Sequence, residues 1–352
     1  MRRELSIYLD LLRLISALAV FLSHLSWARL SGGFLWWLQP YGHSAVTVFF
    51  VLSGFVIQFT VSEKEKTFYD YSLARFARLY SVVVPALILT LVCDSIGTHQ
   101  DPSVYLMERE TNPLLRLFAA FLFLGQSWWW NLSVLSNDPF WSLPYEFWYY
   151  QIFGAAIFFK GVTRILLIGL AVVIAGPTIL LLFPIWLLGV VVYRASKKIS
   201  LDWRVATGLF IVSAVAIIGL LAMDGREMIH RSTSAYLPPG FSLLDFVMGA
   251  MVGLNIFAAS FLRIPVLRAE TPIRFMASFT FALYLFHLPL LHLGAAFLPK
   301  AWSVNNRGLC LAAFTFLMVF VIGLITERKK KAVRASISWI FNLVISKRLS
   351  SA

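Results

Sequence analysis

Runs of about twenty apolar residues recur along this chain of 352 residues, and no other feature limits its fold as strongly. A helix of that length crosses the ~30 Å hydrocarbon core of a bilayer. The expected fold class is therefore an all-α polytopic membrane protein of about ten transmembrane helices. The spans fall at roughly 7–27, 42–61, 76–96, 141–159, 165–181, 179–194, 205–222, 241–261, 275–298 and 308–326. The fifth and sixth are short and crowd around Pro177 and Pro184. The segment LLRLFAAFLFLGQSWWW, residues 114–130, is too short and too aromatic for a span and reads as re-entrant or interfacial. Composition agrees: only 13% of residues are charged, where a soluble domain carries about 25%.

A net charge of +13 would point to nucleic acid in a soluble protein. In a membrane protein, placement matters more than the sum. With the N-terminus inside, Lys and Arg fall roughly three to one on the inner side, as the positive-inside rule requires. The charge is then cytoplasmic anchoring, with both termini cytoplasmic and no nucleic-acid partner. The opening MRRELSIYLD starts like a signal peptide, but Asp10 and Arg13 interrupt the apolar core and the pattern runs on past SALA. It reads as an uncleaved first span. Residues 1–327 form one transmembrane domain, with no soluble domain appended at either end. Residues 328–352 form a basic cytoplasmic tail that reads as a short amphipathic helix on the inner leaflet. Cys93 and Cys310 make neither a disulfide framework nor a metal site.

Within this apolar background a few polar residues stand out. The stretch LDLLRLISALAVFLSH holds Asp10, Arg13 and His24. Arg13 and His24 are eleven residues apart, about 20° past three full helical turns and about 16 Å along the axis, so they share a face. Asp10 lies one turn below Arg13 on the same side. An interior salt bridge and a capped histidine would explain the set structurally. Yet ionisable groups cost on the order of 3 kcal/mol at mid-bilayer, and three on one face favour function.

Four further stretches follow. AVTVFFVLSGFVI carries Phe49, Phe50, Ser53 and Gly54, and close helix packing explains its small residues well. ARFARLY places Arg75 and Arg78 on one face at the inner end of the third span. They serve either as anchors or as a bidentate phosphate site. DPFWSLPYEFWYYQ holds Trp141, Ser142 and Glu146; Ser142 with Pro144 reads as a helix start, and Glu146 lies one residue beyond a capping box. TFALYLFHLPLL places Tyr284 and His287 on one face, before Pro289.

Together these five stretches resemble, in order, the motifs of the integral-membrane acyltransferase-3 family. Its members O-acylate cell-surface polysaccharides, Nod factors and some macrolides. The family's Arg followed eleven residues later by His is matched by Arg13 and His24. Leu11, Ala45, Ser81, Tyr149 and Thr280 depart from residues common there. The resemblance covers nearly the whole chain.

It implies an O-acyltransferase of the bacterial inner membrane. A cytoplasmic acyl-CoA, acetyl-CoA by family frequency, is the co-substrate, with no bound cofactor. The acceptor is a glycan or lipid-linked saccharide, and a separate periplasmic partner would complete transfer if this domain does not. On this reading His24 is the general base, with Glu146 orienting or charging it. Arg75, Arg78 and Arg13 meet the phosphates, Arg13 and Asp10 count with the catalytic set, Asp10 as a lining and orienting group, and Ser53, Trp141, Ser142, Tyr284 and His287 line the cavity. The competing class is a proton-coupled transporter or polysaccharide exporter, which would also carry His, Glu and Arg in its spans.

Overall fold

A computed structural model describes residues 1–108, 112–222, 243–263 and 269–349. Residues 241 and 242 of the eighth expected span, and the last three of the tail, lie outside it. The described chain is helical, with no β-strand among the described residues. Each of the ten expected spans coincides with a helix. Seven are long and apolar enough to cross a membrane: α1 (Arg3–Leu25), α3 (Tyr41–Glu63), α4 (Phe68–Gln100), α7 (Gly161–Leu181), α9 (Trp203–Ala222), α12 (Thr280–Phe297) and the first part of α13 (Val304–Leu349). The other three, α6 (Ser142–Phe158), α8 (Phe183–Lys198) and α10 (Leu243–Ala259), are shorter. Short helices α2 (Ala28–Ser31), α5 (Pro113–Phe121) and α11 (Glu270–Ser278) complete the set.

Burial sorts these helices. α12 has 78% of its apolar window enclosed and α9 only 11%, so α12 forms the centre and α9 the rim. α12 packs on α1, α4 and α13. Its C-terminal end is held by Arg307, whose Nε donates to the Leu30 carbonyl at 2.7 Å and whose Nη2 donates to that of Ala295 at 3.0 Å. A cation there satisfies orphan carbonyls and complements the helix dipole.

α3 and α8 touch backbone to backbone. A methyl group added at Gly54 would run into the Trp186 carbonyl, and one at Gly189 into that of Val51. The small residues of the second motif thus have the packing role their composition suggested.

The crowded region around Pro177 resolves into two helices parted at Leu182. α7 itself breaks at Gly176 (φ 77°, ψ 175°). Pro177 has no N–H to give the Val173 carbonyl. The Trp128 indole donates to that carbonyl instead, at 2.9 Å, and the Trp128 amide donates to Ala175 at 3.1 Å. The Thr178 hydroxyl in turn donates to the Trp128 carbonyl. The 114–130 segment is accordingly one short helix followed by irregular chain docked on a broken helix, which is how non-helical backbone is tolerated at membrane depth.

The tail differs from expectation in its continuity. α13 runs unbroken from Val304 to Leu349, so residues 328–349 continue the last span rather than starting a separate helix. The Ser338 hydroxyl meets that of Tyr69 at 2.9 Å.

The α3–α8 contact yields a prediction. Gly54→Ala forces two backbones apart and is expected to destabilise the protein by about 1–3 kcal/mol. Thermal unfolding in detergent measures this, and an unshifted midpoint would show that the helices part without cost.

Candidate active site

Five helices contribute polar side chains to one narrow cavity. α1 supplies Arg13, α3 Ser53, α4 Arg78, α6 Ser142 and Glu146, and α12 Thr280 and Tyr284. Phe49, Phe50 and Phe281 are among its apolar walls. Its volume is about 70 Å³, room for a handful of waters. A nucleotide-sized ligand would have to widen it.

Glu146 and Ser53 are the hub of the cavity's hydrogen bonds. The Oε1 of Glu146 accepts from Ser53 at 2.8 Å and from Tyr150, one turn further along α6. Ser53 in turn accepts from the Trp186 indole at 3.1 Å. Arg13 brings the balancing charge, with its Nη1 3.1 Å from Oδ1 of Asp10. A carboxylate and guanidinium groups thus face one apolar cleft, each with its own partner, as buried ionic groups require.

The sequence placed Arg75 and Arg78 on one face, but the structure divides them. Arg78 reaches the cavity wall. Arg75 is sealed elsewhere: it donates to Glu65 and, at 2.6 Å, to Thr60, with its guanidinium 4.5 Å above the Tyr71 ring. Three residues of rotation leave one guanidinium turned toward α3 and the other toward α12. Arg75 is thus held by protein partners and is not part of the cavity wall.

His24 also has a different partner from the one expected. No bond joins it to Glu146. His287 of α12 meets it instead, Nε2 to Nδ1 at 3.0 Å, with ring centroids 5.0 Å apart. The Nδ1 of His287 lies 2.8 Å from the Leu283 carbonyl, and that of His24 lies 2.9 Å from the Val20 carbonyl. A carbonyl only accepts, so both Nδ1 atoms carry the proton in this network. The single Nδ1–H of His24 is then shared between the Val20 carbonyl and Nε2 of His287, and His24 Nε2 keeps its lone pair.

Neither histidine is on the cavity wall. Tyr284, one turn before His287, stands at that end. Its hydroxyl is 2.8 Å from Ser142 and its ring 5.6 Å from that of Phe49. Ser142 does begin α6, as its sequence suggested, but it bonds Tyr284 rather than capping the helix. Trp141 was expected on the wall; it packs behind it, stacked on His43 at 5.9 Å and against Phe50 and Tyr145. His292, which matched no motif, is buried with its ring 5.2 Å from that of Tyr105.

Some participants were missed. Tyr150 lies at i+4 from Glu146 and was readable as its partner. Trp186 comes from another helix and left no local signal. The buried Asp245, which accepts from Thr47 at 3.2 Å and lies 3.7 Å from His43, likewise pairs α10 with α3 only in three dimensions.

A polytopic helical bundle with a charged cleft and a paired histidine defines the class as a multi-pass helical membrane protein. The comparisons give the particular family. Residues 6–328 match the profile of the acyltransferase domain called acyltransferase-3, and the chain belongs to that family. It is therefore a multi-pass membrane protein of that family. It is also similar to the acyltransferase MdmB of Streptomyces mycarofaciens, at 26% identity over 264 residues. That alignment covers 69% of this chain and 55% of the relative, so the chain spans about half of that protein. No solved structure matches the chain.

The division of the two arginines is testable by stability. Arg75→Gln leaves Glu65 buried without its cation and is expected to cost about 3 kcal/mol. Arg78→Gln, at the cleft wall, is expected to cost less than Arg75→Gln. Thermal unfolding of the two variants compares them, and equal losses would contradict the assignment.

Proposed function

We propose that the protein transfers an acyl group, acetyl by family frequency, from a cytoplasmic acyl-CoA to a hydroxyl of a surface or lipid-linked glycan. The observation that carries the reading is the His24–His287 pair. A sugar hydroxyl is a weak nucleophile and needs a base during attack. The hydrogen-bond network leaves His24 Nε2 as the nitrogen with a lone pair, and His287 holds the ring in that tautomer.

The steps balance. The hydroxyl oxygen attacks the thioester carbonyl while His24 Nε2 takes its proton. The tetrahedral adduct collapses, the C–S bond breaks, and the sulfur leaves with the proton from His24. The products are an ester and free CoA. Arg13 and Arg78 supply the positive end of the cleft, suited to the donor's phosphates. This reading sets that end toward the cytoplasm, consistent with the basic inner loops. Glu146, tied to Ser53 and Tyr150, balances charge and orients the cleft rather than serving His24. Tyr284, between cleft and histidine pair, is the contact point of donor and base.

The test is mass spectrometry and proton NMR of surface glycan from cells lacking the protein, complemented with wild type or variants. Wild type is expected to restore an O-acyl ester. His24→Ala is expected to lower transfer by about 10²–10⁴ at normal protein level. His287→Ala is expected to lower it by on the order of tenfold, through loss of the fixed tautomer. Full activity of His24→Ala would remove the base assignment, and a chemically unchanged glycan with lower surface amount would replace transfer by export.

A further inference from the structure

Arg274 belongs to none of the five motifs. It lies on α11, the nine-residue helix separated from α12 only by Phe279. Its Nη1 stands 3.6 Å from Oδ2 of Asp10, whose other oxygen is held by Arg13. Its Nε donates to Glu270 at 2.8 Å, and the second oxygen of Glu270 pairs with Arg3. An unbroken run of alternating charge, Arg3–Glu270–Arg274–Asp10–Arg13, therefore leads to the cavity wall.

This arrangement addresses a conflict. Asp10 occupies the guanidinium that an anionic donor would need. A donor that takes Arg13 leaves behind a carboxylate only 20% exposed, deprived of a cation and repelling the incoming phosphates. Arg274 is already beside the second oxygen of that carboxylate, and at 41% exposure its side chain has room to move. A guanidinium holds Glu270 through Nε and Asp10 through Nη with a rigid fork whose spacing a lysine's single ammonium does not reproduce.

We propose that Arg274 is a positioning residue for the acyl donor: it takes over Asp10 when the donor's polyphosphate draws Arg13 away. The proposal rests on the reading that Arg13 binds an acyl-CoA.

Equilibrium binding of acetyl-CoA to the full chain in nanodiscs tests it without needing the acceptor. Arg274→Gln is expected to raise Kd about tenfold, which is about 1.4 kcal/mol. Arg274→Lys, which keeps the charge but not the fork, is expected to fall between that variant and wild type. In an Asp10→Asn background there is no carboxylate to take over, so adding Arg274→Gln is expected to change Kd by less than about twofold. That difference between backgrounds is the pairwise coupling. An equal loss in both backgrounds would mean that Arg274 touches the donor or only supports the fold, and unchanged binding in Arg274→Gln would also overturn the proposal. Arg274→Met keeps the apolar stem and serves as a second uncharged variant if the glutamine form does not fold. Absence of saturable binding by wild type would instead overturn the donor assignment, and the role of Arg274 with it.

Discussion

An ionisable side chain in a bilayer costs on the order of 3 kcal/mol unless it finds a partner or water, and the interior of this bundle is organised by that cost. Arg13 lies against Asp10, Arg75 against Glu65, and Glu146 against two hydroxyls. Tyr8 donates to Asn255, whose amide reaches Ser213 at 3.1 Å and ties α10 to α9. The Ser53–Glu146 and Tyr8–Asn255–Ser213 contacts join helices that lipid alone has little reason to bring together, because apolar faces are as well solvated by acyl chains as by one another. Polar pairing and close backbone packing thus take over the part that hydrophobic burial plays in water.

Two of these requirements meet on α12. It is the most enclosed of the long helices, and it carries Tyr284 toward the cleft and His287 toward His24. A rigid, buried helix is a good platform for groups whose separation matters, since its rotamers are locked by neighbours on all sides. The cleft wall and the histidine pair are linked through a single turn of this helix, from Tyr284 to His287. Movement at its N-terminal end, where α11 joins, would be felt at both.

The cleft is narrow in this structure, and Phe49 and Tyr284, in ring contact, form part of its wall. That is compatible with an interior kept nearly dry until substrate enters.

Much of the architecture was legible in the sequence, for a physical reason. Span length is set by bilayer thickness, so apolar runs alone located ten helices, and the weak 114–130 run was correctly denied a span. The shared face of Asp10, Arg13 and His24 follows from helical periodicity. The packing role of Gly54 follows from the absence of a side chain. What one-dimensional spacing does not hold is which helix lies opposite which. Arg75 and Arg78 looked equivalent because they are three residues apart, and only their neighbours, Glu65 and Thr60 for one and the cleft for the other, separate them. His24 drew His287 rather than Glu146 because α12, not α6, packs beside the end of α1. Trp128 found the broken helix at Pro177 across 45 residues of chain. Local geometry and lipid determined the elements; the partners of the buried charges, and with them the candidate site, were decided only by tertiary packing.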